Sequence, residues 1–441
     1  MFTSPNPLYV QPKVYPVDEH QISSDKVDPN ASYVILKLRQ AGHKAYLVGG
    51  GVRDLLLKKR PKDFDISTSA KPEEIKALFR NSILIGRRFR LAHIRFGKKI
   101  IEVSTFRAGD TGAADLIVRD NVWGTEEQDV LRRDFTINGL FYDIEEQTVI
   151  DYVGGYPDLE KRVLRTIGKP DVRFAQDPVR MIRLVKFCAR FDFDIDSPTF
   201  QALLGCKEEI LKSSSARILE ELLRMLESGA AKTFFHLLHE YGLLKPLLPS
   251  VAKYFGETPD NEILALLCEV DAEMQKTALD RSILLSALLF PLLRHRLLQR
   301  AQKSQQPFHL GIIQQEAAKV IDEAFDPFFL LPRRIRGMVV SILTAQFRIQ
   351  PLDDKPLRNP KPPRDPMFIY GLHLFKLRAK IQPDLLPYYT LWTEASFGNN
   401  PLPMPPPEED PNKRRRPRRR RRRPPPEGNW EGNQEGSSES S

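Results

Sequence analysis

The spacing of apolar residues divides the chain into two parts with different predicted structures. Up to about residue 170, short apolar runs typical of strands are mixed with stretches of helical spacing. The predicted strands are 45–48, 64–67, 83–85, 92–96 and 100–106, and the predicted helices are 31–41, 54–59 and 71–80. From Asp177 onwards apolar residues recur at helical intervals, as in Ile218, Leu222 and Met225. The pattern predicts an α+β fold, in which a small mixed sheet is followed by an all-helical neck and body.

Proline-rich and polar stretches set the predicted domain boundaries. Prolines among polar residues predict a flexible N-terminal arm, and six prolines within residues 350–366 predict a linker. Beyond residue 398 the chain is mainly Pro, Arg, Glu, Gly and Ser, which predicts disorder. The predicted segments are an arm at 1–29, an α+β head at 30–175, a helical neck at 176–250, a helical body at 251–349, a linker at 350–366, C-terminal helices at 367–398 and an Arg-rich tail at 399–441.

Charge is concentrated at one end of the chain. The 441 residues include 67 basic and 57 acidic ones, and ten of the basic residues lie in the run from Lys413 to Arg423. Without that run the chain is balanced, so the positive charge belongs to a tail on a neutral body. Three cysteines without metal-ligand spacing argue against a disulfide framework or a zinc module. No stretch approaches eighteen apolar residues, so we expect a cytoplasmic protein without a membrane segment.

The segment with the clearest chemistry contains two carboxylates, Asp63 and Asp65, around Phe64. Side chains alternate in a strand, so both carboxylates should point to one face, about 7 Å apart, while Phe64 enters the core. Such a pair suits Mg²⁺, which takes one or two carboxylates and leaves other positions for water and phosphate oxygens. A solvated strand face is the alternative explanation.

A glycine-rich turn precedes this pair. Gly49, Gly50 and Gly51 follow the apolar run 45–48 and precede Arg53. A turn between a strand and a helix exposes backbone N–H groups that can bind a triphosphate, and Arg53 would add a fixed cation. A tight turn without a ligand remains the alternative, but the turn and the carboxylates together favour a nucleotide and metal site.

Two further clusters combine charges with helical positions. Arg132 and Arg133 precede Asp134, so the arginines would contact phosphates and Asp134 would be a third acid near the metal. Alternatively Asp134 caps a helix, and Glu102 on a neighbouring predicted strand competes for the role of third carboxylate. Further on, Asp177 and Arg180 are i,i+3 neighbours that could read a base edge, or could be an N-cap and a surface ion pair.

Together these motifs resemble the class II nucleotidyltransferase family of bacterial poly(A) polymerases and CCA-adding tRNA nucleotidyltransferases. The resemblance covers about residues 30–250. It rests on four ordered motifs: LVGGGVRD at 47–54 with DFD at 63–65, RRDFTIN at 132–138, DYVGG at 151–155 and DPVRMIR at 177–183. The segment LIGRRFRLAHI at 84–94 and the basic C-terminus are similar to the poly(A) polymerase branch.

The resemblance implies a polymerase beta-like head and specific roles for residues. In the family the D-x-D pair binds two metal ions, the Arg-Arg-Asp motif supplies a further carboxylate with ribose or phosphate contacts, and the Asp-x-x-Arg pair reads the base. These roles fall on Asp63 and Asp65, on Asp134, and on Asp177 and Arg180. Gly49, Gly50, Arg53, Arg132 and Arg133 would then position the triphosphate. One departure is Gln176, where the family usually has Glu.

The resemblance implies template-independent addition of AMP from ATP to RNA 3′ ends, with two Mg²⁺ ions and release of pyrophosphate. Expected partners are RNA 3′ ends, ATP and proteins of RNA decay, and RNA turnover is the expected consequence. A CCA-adding tRNA nucleotidyltransferase is the main alternative, and a non-catalytic RNA-binding protein is another. Two acidic residues in the D-x-D pair argue against the latter.

The basic run provides the last predicted RNA contacts. We expect its side chains to bind RNA phosphates, beginning with Lys413, Arg414, Arg415, Arg416, Arg418, Arg419 and Arg420. The alternative is a solubility tail that binds any polyanion.

Overall fold

A computed structural model describes residues 11–86, 91–108, 122–257, 261–303, 309–326, 328–352, 360–398 and 400–403. The predicted RNA contacts between Lys413 and Arg420 lie outside these residues, as does nearly all of the predicted tail.

Strands occur only in the first half of the described chain. They are β1 (Lys13–Tyr15), β2 (Ala45–Val48), β3 (Asp65–Thr68), β4 (Ser82–Ile85), β5 (Leu91–Phe96), β6 (Lys99–Thr105), β7 (Arg107–Ala108), β8 (Val122–Trp123), β9 (Leu140–Asp143), β10 (Thr148–Asp151), β11 (Val163–Leu164) and β12 (Asp194–Ile195). Eight of them form one sheet in the order β1-β10-β9-β2-β3-β6-β5-β4. In this sheet β3 and β6 are parallel and the other neighbouring pairs are antiparallel. The predicted mixed sheet is confirmed.

Alternation along the central strands gives the sheet one fully buried face. Leu47, Ile66 and Val103 are in register on β2, β3 and β6, and none of them is exposed to solvent. Residues one step along each strand point to the other face. This second face carries Asp65 and Glu102. Because the apolar side chains are buried on one face, the side chains of Asp65 and Glu102 must point to the other.

The N-terminal segment is partly ordered, which corrects the prediction of a flexible arm at 1–29. From Lys13 to Tyr15 the chain pairs with β10 at the edge of the sheet. Tyr15 stacks on Tyr156 with ring centroids 4.1 Å apart, and Ile22 and Val27 are buried. The prolines made this segment look disordered, but a short edge strand needs few backbone donors and tolerates them.

Helices pack against the sheet and form most of the rest of the described chain. They are α1 (Val17–His20), α2 (Pro29–Gln40), α3 (Gly50–Leu56), α4 (Pro72–Leu78), α5 (Glu126–Leu131), α6 (Gly155–Glu160), α7 (Pro170–Gln176), α8 (Val179–Phe191), α9 (Ser197–Cys206), α10 (Ser215–Leu226), α11 (Ala231–Glu240), α12 (Leu244–Leu247), α13 (Pro249–Glu257), α14 (Glu262–Met274), α15 (Arg281–Lys303), α16 (Leu310–Phe325), α17 (Arg333–Ile349), α18 (Phe368–Ile381) and α19 (Leu386–Phe397).

The neck helices bury one apolar stripe each. On α10 the residues at helical spacing, among them Ile218, Leu222 and Met225, are buried, as the sequence pattern predicts. The core that contains them is continuous with the core of the sheet. Within the described residues, no helix combines the length and the apolar character needed to span a membrane. The three cysteines are free.

Candidate active site

Three carboxylates lie together on the polar face of the sheet. Asp65 begins β3, its register partner on β6 is Glu102, and Asp63 precedes β3 by two residues. Phe64 and Ile66 are buried in the core, so the alternation predicted for this segment is present. Burial, and then the charges of Glu102 and Asp63, raise the pKa of Asp65 to about 6. From the sequence, Glu102 and Asp134 were both candidates for the third carboxylate. In the structure, Glu102 lies beside Asp65.

This cluster has the chemistry of an open cation site. A raised pKa means that negative charge is poorly compensated at Asp65, where the Arg133 guanidinium is the one cation among the described residues that lowers the pKa. A hard divalent cation would supply the missing positive charge. Among the described residues no group of three or more His, Cys, Asp or Glu side chains is arranged to hold a metal ion by itself. The carboxylates therefore fit an ion that takes its remaining ligands from phosphate oxygens and water.

The glycine turn lies next to this cluster. Gly49 has φ +64°, and a side chain there would meet the Arg133 guanidinium at 3.1 Å. Arg133 itself donates to Ser67 Oγ at 3.2 Å and to Asp129 Oδ2 at 2.8 Å. Ser67 is on the same face of β3 as Asp65. Glycine at position 49 thus lets an arginine approach the backbone turn, and the turn and the guanidinium lie beside the carboxylates.

The Arg53 guanidinium makes several contacts within the protein. It is buried, and its guanidinium donates to Asn138 Oδ1 at 2.7 Å and to Asp54 Oδ1 at 2.7 and 2.9 Å. The same group lies over the rings of Phe187 and Phe191 on α8, at 5.1 and 4.6 Å. These contacts make Arg53 a link between the head and the first long helix of the neck, and its assignment as a fixed cation for phosphate stays a prediction.

Asp134 is likewise engaged in a structural network. It accepts hydrogen bonds from Phe135 N at 2.8 Å, Asn138 Nδ2 at 3.0 Å and Arg183 Nε at 2.7 Å. Burial by itself raises the pKa of Asp134, but the Arg183 charge and these hydrogen bonds lower it to about 2. Asn138 also accepts from Arg53, so the motif at 132–138 holds head and neck together through Arg53, Asn138, Asp134 and Arg183. The role of Asp134 as third acid stays a prediction, and its contacts favour Glu102.

A group of buried arginines lies behind this network. Arg173 donates to the carbonyl oxygens of Leu131 and Arg133 at 3.2 and 2.8 Å and to Gln176 Oε1 at 2.9 Å. Burial and then the nearby Arg180 charge lower the pKa of Arg173 to about 9. Arg180 donates to the carbonyl oxygen of Arg132 at 2.9 Å. Gln176 stands where the family usually has Glu, so the Arg173 guanidinium donates to a neutral amide and not to a carboxylate.

Asp177 and Arg180 are not paired with each other in the way their spacing suggested. Asp177 lies between α7 and α8, so it is outside the helix that carries Arg180. Its carboxylate accepts two hydrogen bonds from Arg217 on α10, at 3.0 Å each. Sequence reasoning missed Arg217 and the pairing of Arg183 with Asp134, because each partner lies 40 residues or more away along the chain.

The carboxylate pair on a mixed sheet, the glycine turn beside it and the helical neck define a nucleotidyltransferase. Residues 45–165 match the family model described as "Poly A polymerase head domain", and residues 192–255 match "Probable RNA and SrmB- binding site of polymerase A". The chain is 38% identical over 384 residues to poly(A) polymerase I of Salmonella typhi, with 84% of this chain and 82% of that protein covered. It is 35% identical to poly(A) polymerase I of Haemophilus influenzae, with 86% and 87% covered. The chain therefore belongs to the poly(A) polymerase I family, whose members are polynucleotide adenylyltransferases.

CCA-adding enzymes are similar over a shorter part of the sequence. The enzyme of Lactobacillus helveticus is 40% identical, but only 44% of this chain and 48% of that protein are covered. Among solved structures, the Bacillus stearothermophilus CCA-adding enzyme in complex with CTP is 25% identical, with a TM-score of 0.59 and 84% and 83% of the two chains covered. The fold is thus common to both branches, while similarity along most of the sequence favours the poly(A) branch.

Proposed function

We propose that this protein transfers AMP from ATP to the 3′-hydroxyl of RNA without a template and releases pyrophosphate. The observation that carries the proposal is the carboxylate cluster of Asp63, Asp65 and Glu102, in a chain whose poly(A) polymerase I relatives match most of its length. Repeated addition of one nucleotide would make a poly(A) end and would promote RNA turnover.

The reaction needs alignment and charge compensation more than covalent chemistry. Asp63 and Asp65, with Glu102, would hold two Mg²⁺ ions, which lower the pKa of the attacking hydroxyl and neutralise the leaving pyrophosphate. Arg133, beside Gly49, would bind a phosphate or the ribose, and Arg132 would assist from the same motif. The backbone of Gly49 and Gly50 would approach the triphosphate, because neither residue has a side chain to block it.

Base recognition would depend on the junction between α7 and α8. Asp177 carries an acceptor that is held by Arg217, and a carboxylate has lone pairs for a further donor such as an exocyclic amino group. Arg180 is buried against backbone carbonyl oxygens, so it would shape the pocket and present its remaining N–H groups to the base. RNA would approach along the neck, where the second family model matches, and proteins of RNA decay are proposed partners.

The proposal is tested with purified protein, Mg²⁺ and each nucleoside triphosphate in turn, on an oligo(A) primer and on tRNA that lacks its CCA end. We expect long products from ATP alone, and loss of at least nine tenths of the rate in Asp63→Asn and in Asp65→Asn, with primer binding retained. Use of CTP with addition that stops after three nucleotides on tRNA would replace the proposal with CCA addition. Primer binding without transfer of any nucleotide would indicate a non-catalytic RNA-binding protein.

A further inference from the structure

A histidine on the same sheet face touches the carboxylate cluster. His93 on β5 is the register partner of Glu102 on β6, and its Nε2 lies 3.1 Å from Glu102 Oε1. Because a carboxylate only accepts, the histidine is the donor of this hydrogen bond. Asp65, Glu102 and His93 thus form one row across three neighbouring strands, which are about 4.8 Å apart.

His93 has one register partner on each neighbouring strand, and the polar one is Glu102 on β6. On its other side the register partner is Ile83 of β4, which is apolar. The His93 side chain is 17% exposed and the Glu102 side chain is 48% exposed. A half-exposed glutamate with three rotatable bonds can turn towards solvent, and a hydrogen bond from a more buried ring on the next strand restricts that rotation.

We infer that His93 is a positioning residue that holds the Glu102 carboxylate beside Asp65, so that the cluster can bind a divalent cation. This inference rests on the proposed function, because it assigns a part to one residue of that site. Neighbours that orient a metal ligand, without touching the metal, commonly contribute a factor of about 10 to 100 in metal affinity.

Mn²⁺ binding provides a test that does not need catalysis. Mn²⁺ is titrated into the metal-free protein and free Mn²⁺ is measured by electron paramagnetic resonance. We expect His93→Leu to weaken Mn²⁺ binding about 10-fold, at the lower end of that range. His93→Gln should stay within about threefold of wild type, because its amide can donate from nearly the same position as Nε2. The matched control is His236→Leu, whose ring lies 3.9 Å from Glu240 on the exposed face of α11 and should leave Mn²⁺ binding unchanged.

A double-mutant cycle separates positioning from a general structural effect. In a Glu102→Gln background, His93→Leu should cause no further loss of Mn²⁺ affinity, because the ligand it positions is already altered. An equal loss in both backgrounds, or unchanged Mn²⁺ binding in His93→Leu, would overturn the inference. Absence of nucleotide transfer by the wild-type protein would refute the proposed function instead, since the Mn²⁺ titration does not depend on turnover.

Discussion

Arg217 donates a hydrogen bond to Asp177 from each of its two terminal nitrogens, and each nitrogen lies 3.0 Å from a different carboxylate oxygen. The arginine side chain is 58% exposed, so the ion pair contributes little to the free energy of unfolding, about 0 to 1 kcal/mol. The ion pair matters more for geometry, because a bidentate contact fixes the plane of the Asp177 carboxylate. An acceptor in a fixed plane can distinguish one base edge from another.

We therefore predict that Arg217→Ala alters nucleotide choice more than stability. The variant should unfold within about 2 °C of wild type, since an exposed pair is lost. The ratio of kcat/KM for ATP to that for CTP should fall about fivefold or more, as expected for loss of about 1 kcal/mol of discrimination. Arg224→Ala on the same helix removes an exposed pair with Glu220 and serves as the control. An unchanged ATP to CTP ratio in Arg217→Ala would show that the ion pair does not set base choice.

Gln176 gives a second prediction, which concerns stability. Restoring Glu at this position would convert the neutral hydrogen bond from Arg173 at 2.9 Å into a charge-assisted one. Because burial and the nearby Arg180 charge disfavour charged Arg173, the added carboxylate should stabilise the fold. We expect Gln176→Glu to raise the free energy of unfolding by about 1 kcal/mol, measured in urea. A lower free energy would mean that the cost of burying the new carboxylate is greater than the gain from its pairing with Arg173.

The carboxylate cluster predicts a dependence of stability on pH. The pKa of Asp65 rises from an ordinary value of 3.8 to about 6 in the folded protein. The folded state thus binds this proton more tightly, so the stabilisation is complete below pH 3.8 and is lost as pH rises through about 6. The full shift corresponds to no more than about 3 kcal/mol.

Asp65→Asn should remove this dependence. In EDTA, its melting temperature relative to wild type should rise between pH 5 and about pH 7 and then level off, because only the wild type has the Asp65 carboxylate to ionise in this range. Added Mg²⁺ at pH 7.5 should stabilise the wild type and close the gap. A difference in melting temperature that is constant over this pH range would contradict the raised pKa of Asp65.

The cluster also shows how far the sequence determines the site. Alternation around Phe64 was enough to predict that Asp63 and Asp65 share a face, because that inference needs only local geometry. Placing Glu102 beside Asp65 needed the pairing of β3 with β6, which joins residues 37 apart and leaves no local trace. The contacts of Arg53 were not predictable for the same reason, because its partners Asn138 and Phe187 are distant in the chain. Helices with strong apolar stripes were predictable, whereas the edge strand β1 depends on a partner strand more than 130 residues away.

Arg53 gives a prediction that separates a structural link from a phosphate ligand. Replacing it by Ala should cost about 3 kcal/mol or more of the free energy of unfolding, since Asn138 and Asp54 lose a buried partner. Arg53→Lys should recover little, because an ammonium group cannot donate in both directions and stack on two rings. Lys59→Ala is the matched control, as Lys59 also lies over the Phe191 ring, at 4.8 Å, but is exposed. Unchanged stability of Arg53→Ala with a raised KM for ATP would instead indicate a triphosphate ligand.

The basic run gives a prediction about RNA affinity and salt. Ten basic side chains between Lys413 and Arg423 have no acidic segment of matching density, so they are available to neutralise RNA phosphates. Each phosphate contact adds about −0.7 to the slope of log affinity against log salt for a single strand. Truncation after Pro411 should flatten that slope by about two to four units and raise the KM for primer.

The rate at saturating primer should stay the same, because the carboxylate cluster lies in the head. Truncation after Pro424 keeps the basic run and is the control, and a slope that is equal in the two truncated proteins would show that the run does not hold the primer.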